Sequence, residues 1–217
     1  MQPMRVFVTG GSGALGRATI PRLRAEGHDV VAPRRAELDL FDARTVNQAV
    51  EGADVIFHLA THLRADAEAD RVNRREHDRL RAEASRLLAD AGLRANVGAY
   101  IQPTVTFVYP DGPVDEETPI GAVPAYLESA LIAERETLRF ADAGRMGIVL
   151  RLGLLYGPGT GLAEPDDHYG ATLYVEDAGA ALISALRLPS GLYNVCRDGE
   201  RVSNARFKQV SGWRPTQ

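Results

Sequence analysis

The sequence predicts an α/β fold, a doubly wound parallel sheet with helices on both faces and a small lobe toward the C-terminus. Three observations predict it. A short apolar strand, R-V-F-V-T, runs straight into Gly10-x-x-Gly13-x-x-Gly16. Strand and helix patterns then alternate along the chain, as a parallel sheet requires. Finally, 217 residues at 45% hydrophobic content suit one domain with at most a small appendage.

Residues 6–9 form the first strand, and the glycines after it form a phosphate cradle. Gly10 permits a tight turn, Gly13 lets backbone approach phosphate, and Gly16 lets the next helix pack closely. That helix, residues 15–26, places Leu15, Ile20 and Leu23 on one face and stops at Gly27. Its free N–H groups and positive dipole end would face the diphosphate of a dinucleotide, with Ala14 and Leu15 in the first turn. The second strand covers residues 30–33, and a short helix at 45–50 ends at Gly52. Residues 55–60, V-I-F-H-L-A, form a third, buried strand.

A long charged helix follows at 73–91. Leu80, Ala84, Leu87, Leu88 and Ala91 make its buried stripe, and the charges of residues 71–86 read as a solvated face. Residues 100–109 hold a strand, 110–124 a turn-rich loop, and 126–140 a second long helix. A strand at 148–152, a short strand at 173–175, a helix at 177–186 and a strand at 192–195 complete the pattern. A boundary near Arg151 divides a nucleotide-binding core, 1–150, from a small substrate lobe, 151–217, interleaved with it.

Composition excludes several function classes. Net charge is −4, so there is no basic footprint for nucleic acid. No apolar run approaches the roughly 20 residues that span a bilayer, and no secretory leader pattern opens the chain. Cys196 is the only cysteine, which excludes an internal disulfide and a CxxC metal site. His28, His58, His62, His77 and His168 lack ligand spacing such as HExxH, so no metal is expected. No G-x-S-x-G elbow supports a serine hydrolase. A cytoplasmic protein acting on a small molecule is the expectation.

Several spaced segments together resemble the extended short-chain dehydrogenase/reductase superfamily, in its NAD-dependent epimerase/dehydratase branch. They are V-F-V-T-G-G-S-G-A-L-G, E-L-D-L-F-D, V-I-F-H-L-A, R-L-G-L-L-Y-G-P-G, Y-V-E-D-A-G and G-L-Y-N-V, in the family's order. The resemblance implies a Rossmann-type sheet in which Asp39 and Leu40 contact adenine, while Leu59 and Ala60 lie along the ribose and nicotinamide. It implies that Asp177 is a buried tie within the small lobe. A homodimer through the two long helices is an arrangement open by analogy. His58 reads as a packed strand residue.

The end of the second strand bears on coenzyme choice. NAD-preferring relatives place a carboxylate there, whereas this chain reads Ala32-Pro33-Arg34-Arg35. Two arginines suit a 2′-phosphate, so NADP(H) is expected at Arg34 and Arg35, with NAD open.

The resemblance also exposes a gap. The family's usual set is a Ser or Thr after the sheet strand, a Tyr, and a Lys four residues beyond that Tyr. Tyr126 fits the tyrosine, but Ala130 stands at the lysine position, and Lys208 is the only lysine in the chain. Val105 stands at the hydroxyl position, flanked by Thr104 and Thr106, and a shift of one residue is needed to present either. A free phenol titrates at about 10 and is poorly ionised at neutral pH without a neighbouring ammonium. The set therefore points to carbonyl reduction with neutral Tyr126 as proton donor. A non-catalytic NAD(P) sensor and an epimerase or dehydratase stay open as alternatives. The short 161–169 stretch leaves little material for a nucleotide-sugar site.

Overall fold

The computed structural model describes residues 2–61, 70–166 and 170–217, with side chains from residue 74 onward in the helix that opens at Asp70. His62, His168 and residues 167–169 of the short 161–169 stretch lie outside the described residues.

Six parallel strands form one sheet in the order β2-β1-β3-β4-β5-β8. They are β1 (Arg5–Thr9), β2 (Asp29–Val31), β3 (Val55–His58), β4 (Ala99–Val105), β5 (Met146–Leu152) and β8 (Gly191–Val195). A second, two-stranded sheet pairs β6 (Leu154–Tyr156) with β7 (Thr172–Tyr174). The helices are α1 (Ala14–Ala25), α2 (Ala43–Val50), α3 (Asp70–Arg79), α4 (Ser85–Arg94), α5 (Ala125–Asp142), α6 (Val175–Ala185) and α7 (Ala205–Ser211). The result is a Rossmann-type, doubly wound sheet, and its strand order reverses between β1 and β3. Ligands in such sheets bind at that switch point, beyond the carboxyl ends of the strands.

The alternation of a strand sorts the core into two layers. Val6 and Val8 face the layer of α1 and α6 together with Phe57, Ile101 and Leu150. Phe7 faces the other way, with Ile56, Tyr100, Leu88 and Phe140, under α2, α4 and α5. Burial on both faces explains why these strands read as continuous apolar runs.

Two local departures from the sequence pattern matter for the site. The long helix is interrupted by a π-turn at Leu80–Ala84, between α3 and α4. Strand β4 stops at Val105, and Thr106–Val108 form a 3-10 turn rather than more strand. In keeping with the expected interleaving, β8 pairs with β5, the strand that holds residue 151. Asp177, buried on α6, accepts the Thr216 backbone N–H at 2.9 Å and the Thr216 hydroxyl at 2.8 Å, tying down the end of the chain.

Candidate active site

The glycine loop has the geometry that the cradle requires. Gly10 sits at φ +73, and a Cβ there would lie 2.6 Å from the backbone of Ala60. A Cβ on Gly16 would lie 2.5 Å from the carbonyl oxygens of Gly10 and Gly11. These two positions exclude any larger residue, so loop, helix and β3 approach at backbone distance. Gly13 caps α1 in an extended conformation with no side chain in the way, leaving the first N–H groups of α1 open.

The loop opens onto a cleft of about 910 Å³ at the carboxyl ends of β1, β2 and β3. Gly10, Gly13, Arg34, Arg35, Asp39, Leu40, Leu59 and Ala60 all line it. The residues predicted to hold the coenzyme are therefore brought together, apart from those in the first turn of α1. There Leu15 points into the core, and Ala14 and Gly16 shape the backbone behind the loop.

One wall was not legible in the sequence. Arg75, Glu76 and Arg79, from the stretch expected to be a solvated face, also line the cleft, together with Leu80 of the buried stripe. The Arg79 guanidinium carbon lies 3.9 Å from the ring centroid of Phe41, and Arg35 forms an ion pair with Glu76. The expectation fails because a charged helix face looks alike whether it meets bulk water or a water-filled cleft.

A hydrogen-bond chain sets the floor. Leu80 presents only a carbonyl to His58 Nε2, at 3.0 Å, so Nε2 carries the proton and donates. Nδ1 then accepts from the Thr9 hydroxyl at 2.6 Å, and the Thr9 oxygen accepts from the Ala60 N–H at 3.3 Å. Burial pushes the His58 pKa down to about 4, so the ring is neutral. His58 thus links β1, β3 and the π-turn beneath the cleft, in keeping with a packed strand residue.

A second cluster lies between β4, β5 and α5. Arg151 donates to Glu134 through Nε at 2.8 Å and Nη2 at 2.6 Å, and Thr104 donates to the same carboxylate at 2.9 Å. The guanidinium also sits 4.7 Å from the Tyr109 ring centroid, and the Tyr109 hydroxyl donates to Asn194 at 2.9 Å. Arg81, on the π-turn, is half-buried. Burial pulls its pKa down to about 10 while Asp78 and Glu134 oppose that fall. The Thr104 hydroxyl is therefore committed to Glu134, whereas the buried Thr106 Oγ1 has no hydrogen-bond partner among the described residues. Neither threonine lines the cleft of the glycine loop, and Thr106 is buried in the 3-10 turn.

Tyr126 stands in the first turn of α5, 49% exposed, with the Arg74 guanidinium carbon 5.8 Å from its ring centroid. It does not line the cleft of the glycine loop. Ala130 is fully buried against Val108 and Leu127, so apolar packing occupies the lysine position. Among the described residues no cluster of His, Cys, Asp and Glu could hold a metal, and no helix is long and apolar enough to cross a membrane.

Residues 6–174 match the NAD dependent epimerase/dehydratase family. The chain belongs to that family. It is thus an NAD(P)-dependent oxidoreductase or epimerase-like enzyme. It is 31% identical to a 3-diazoavenalumate denitrifying reductase from Streptomyces, over 84% of this chain and 72% of that protein. It is 30% identical to a 2-alkyl-3-oxoalkanoate reductase from Stenotrophomonas maltophilia, over 72% of this chain and 52% of the relative, so it spans about half that protein's length. The fold is similar to UDP-N-acetylglucosamine 4-epimerase from Bacillus cereus, with TM-score 0.82, 17% identity, and 99% of this chain and 94% of that one covered. It is also similar to RMD from Pseudomonas aeruginosa complexed with NADPH, with TM-score 0.78, 19% identity, and 99% and 93% covered.

Proposed function

We propose that this member of the epimerase/dehydratase family is an NADPH-dependent reductase of a small carbonyl compound. The observation that carries the reading is the cleft that joins the glycine loop to Arg34 and Arg35, with no acid among residues 32–35 that follow β2. Gly10, Gly13 and the first turn of α1 hold the diphosphate, Asp39 and Leu40 border the adenine, and Leu59 and Ala60 border the nicotinamide ribose. Arg34 and Arg35 receive the 2′-phosphate. When bound, the coenzyme supplies the hydride.

Tyr126 donates its hydroxyl proton to the carbonyl oxygen as that oxygen gains charge. Its exposure lets water return the proton. Thr106 is the hydroxyl that orients the substrate carbonyl, because it is unpaired while Thr104 is bound to Glu134. Two curated relatives named as reductases, one of them for 2-alkyl-3-oxoalkanoates, support reduction over epimerisation and make 3-oxo acids the first substrates to test.

The test follows NADPH absorbance with a panel of 3-oxo acids, ketones, aldehydes and nucleotide sugars. The reading expects turnover of at least one carbonyl substrate and its loss in Tyr126→Phe. NADPH binding without oxidation across the panel favours a non-catalytic sensor. Activity unchanged in Tyr126→Phe removes the tyrosine from the mechanism.

A further inference from the structure

Two side chains one helical turn apart on α3 reach across the cleft to the opposite wall. Glu76 meets Arg35 beyond the end of β2, and Arg79 lies flat on Phe41 beside Asp39 and Leu40. Arg79 is held in turn by Glu83, whose carboxylate accepts from its Nε at 2.8 Å. Both contacts fall at the adenosine end, the end where an acid or an arginine beyond β2 decides between a free 2′-hydroxyl and a 2′-phosphate. The stretch Ala32-Pro33-Arg34-Arg35 has no acid, yet α3 delivers one to the same place.

The charges there are unevenly used. The Arg34 and Arg75 side chains have no hydrogen-bond or ion-pair partner among the described residues, although both line the cleft. Arg35 is the arginine whose charge is already met, by Glu76. A 2′-phosphate placed here would compete with the Glu76 carboxylate for the Arg35 guanidinium and be repelled by it. A free 2′-hydroxyl would meet no such opposition and could donate to that carboxylate.

We propose that Glu76 is a specificity-determining residue: reaching Arg35 from α3, it opposes the 2′-phosphate and narrows the preference for NADP(H) over NAD(H). The proposal rests on the dinucleotide reading of the cleft. It assigns to the third helix a carboxylate whose role falls to the end of the second strand in NAD-preferring relatives. Arg34 and Arg75 are the cations left to attract the phosphate, while Glu76, on Arg35 Nη2, offsets part of the Arg35 charge the phosphate would otherwise meet.

Calorimetry with 2′,5′-ADP and 5′-AMP tests this on the purified chain, since the probes differ only in the 2′-phosphate. NADP+ and NAD+ serve as whole coenzymes. Glu76→Gln is expected to tighten 2′,5′-ADP and NADP+ by about fivefold and to leave 5′-AMP within about twofold, with the gain shrinking as salt rises. In an Arg35→Gln background the gain should be reduced. Equal change for both probes, no change for either, or a gain undiminished by Arg35→Gln overturns the proposal, because each separates Glu76 from competition for Arg35. Unmutated protein that binds the coenzymes but shows no Glu76 effect sinks this proposal alone; protein that binds none of the four ligands sinks the dinucleotide reading with it. Unfolding midpoints of the variants, expected to match the parent, exclude misfolding as the cause.

Discussion

Arg151 on β5 and Glu134 on α5 meet edge to edge, with two hydrogen bonds at 2.8 and 2.6 Å, both side chains almost wholly out of water. Burial pulls the Arg151 pKa down, but Glu134 more than offsets it and the guanidinium stays charged. The pair clamps α5 to β5, and Thr104 adds a third bond to the same carboxylate.

Removing one partner should therefore be far worse than losing a surface ion pair. Glu134→Gln leaves the buried Arg151 charge uncompensated, and a loss of about 3–5 kcal/mol is expected in urea unfolding. A loss below about 1 kcal/mol would mean that water or another acid satisfies Arg151.

His58 should make stability depend on pH. Its folded pKa is about 4 against an ordinary value of 6.5, so between those values the unfolded chain binds the proton and the folded chain does not. Stability is full above pH 6.5 and falls as pH drops toward 4, by about 3 kcal/mol in all. Unfolding curves for His58→Gln should show a shallower acid slope over that window. An unchanged slope would assign the acid sensitivity to other groups.

Gly16 should tolerate no side chain. Gly16→Ala places a methyl 2.5 Å from two carbonyl oxygens, so the loop must move away from α1. Destabilisation of about 1–3 kcal/mol is expected, with a coenzyme affinity at least about tenfold weaker. Parental affinity in a folded Gly16→Ala protein would show that close packing of loop on helix is not what shapes the cradle.

The parts legible in the sequence are those where local chemistry and the fold agree. The glycines, the apolar strands and the Ala130 gap are visible because backbone approach, two-sided burial and a missing charge each leave a residue-type signature. The cleft wall on α3 was hidden because Glu76 and Arg79 look like any solvated helix face. The π-turn at Leu80–Ala84 inserts one residue into a helical repeat without breaking its apolar stripe, so periodicity passes over it. Thr106 is ambiguous for a different reason: strand propensity continues past Val105, where the backbone instead turns into a 3-10 helix. The strand β6 and helix α7 are too short for a pattern of their own and depend on partners distant in sequence.

Calorimetric titration of the purified chain with NADPH tests the central claim, that the loop Gly10–Gly16 holds a nicotinamide dinucleotide, most directly. Saturable one-to-one binding at micromolar concentration, with a free energy of about −7 to −9 kcal/mol, is the predicted result. Absence of binding by NADPH and NADH up to about 1 mM, in protein with a cooperative unfolding transition, would contradict it.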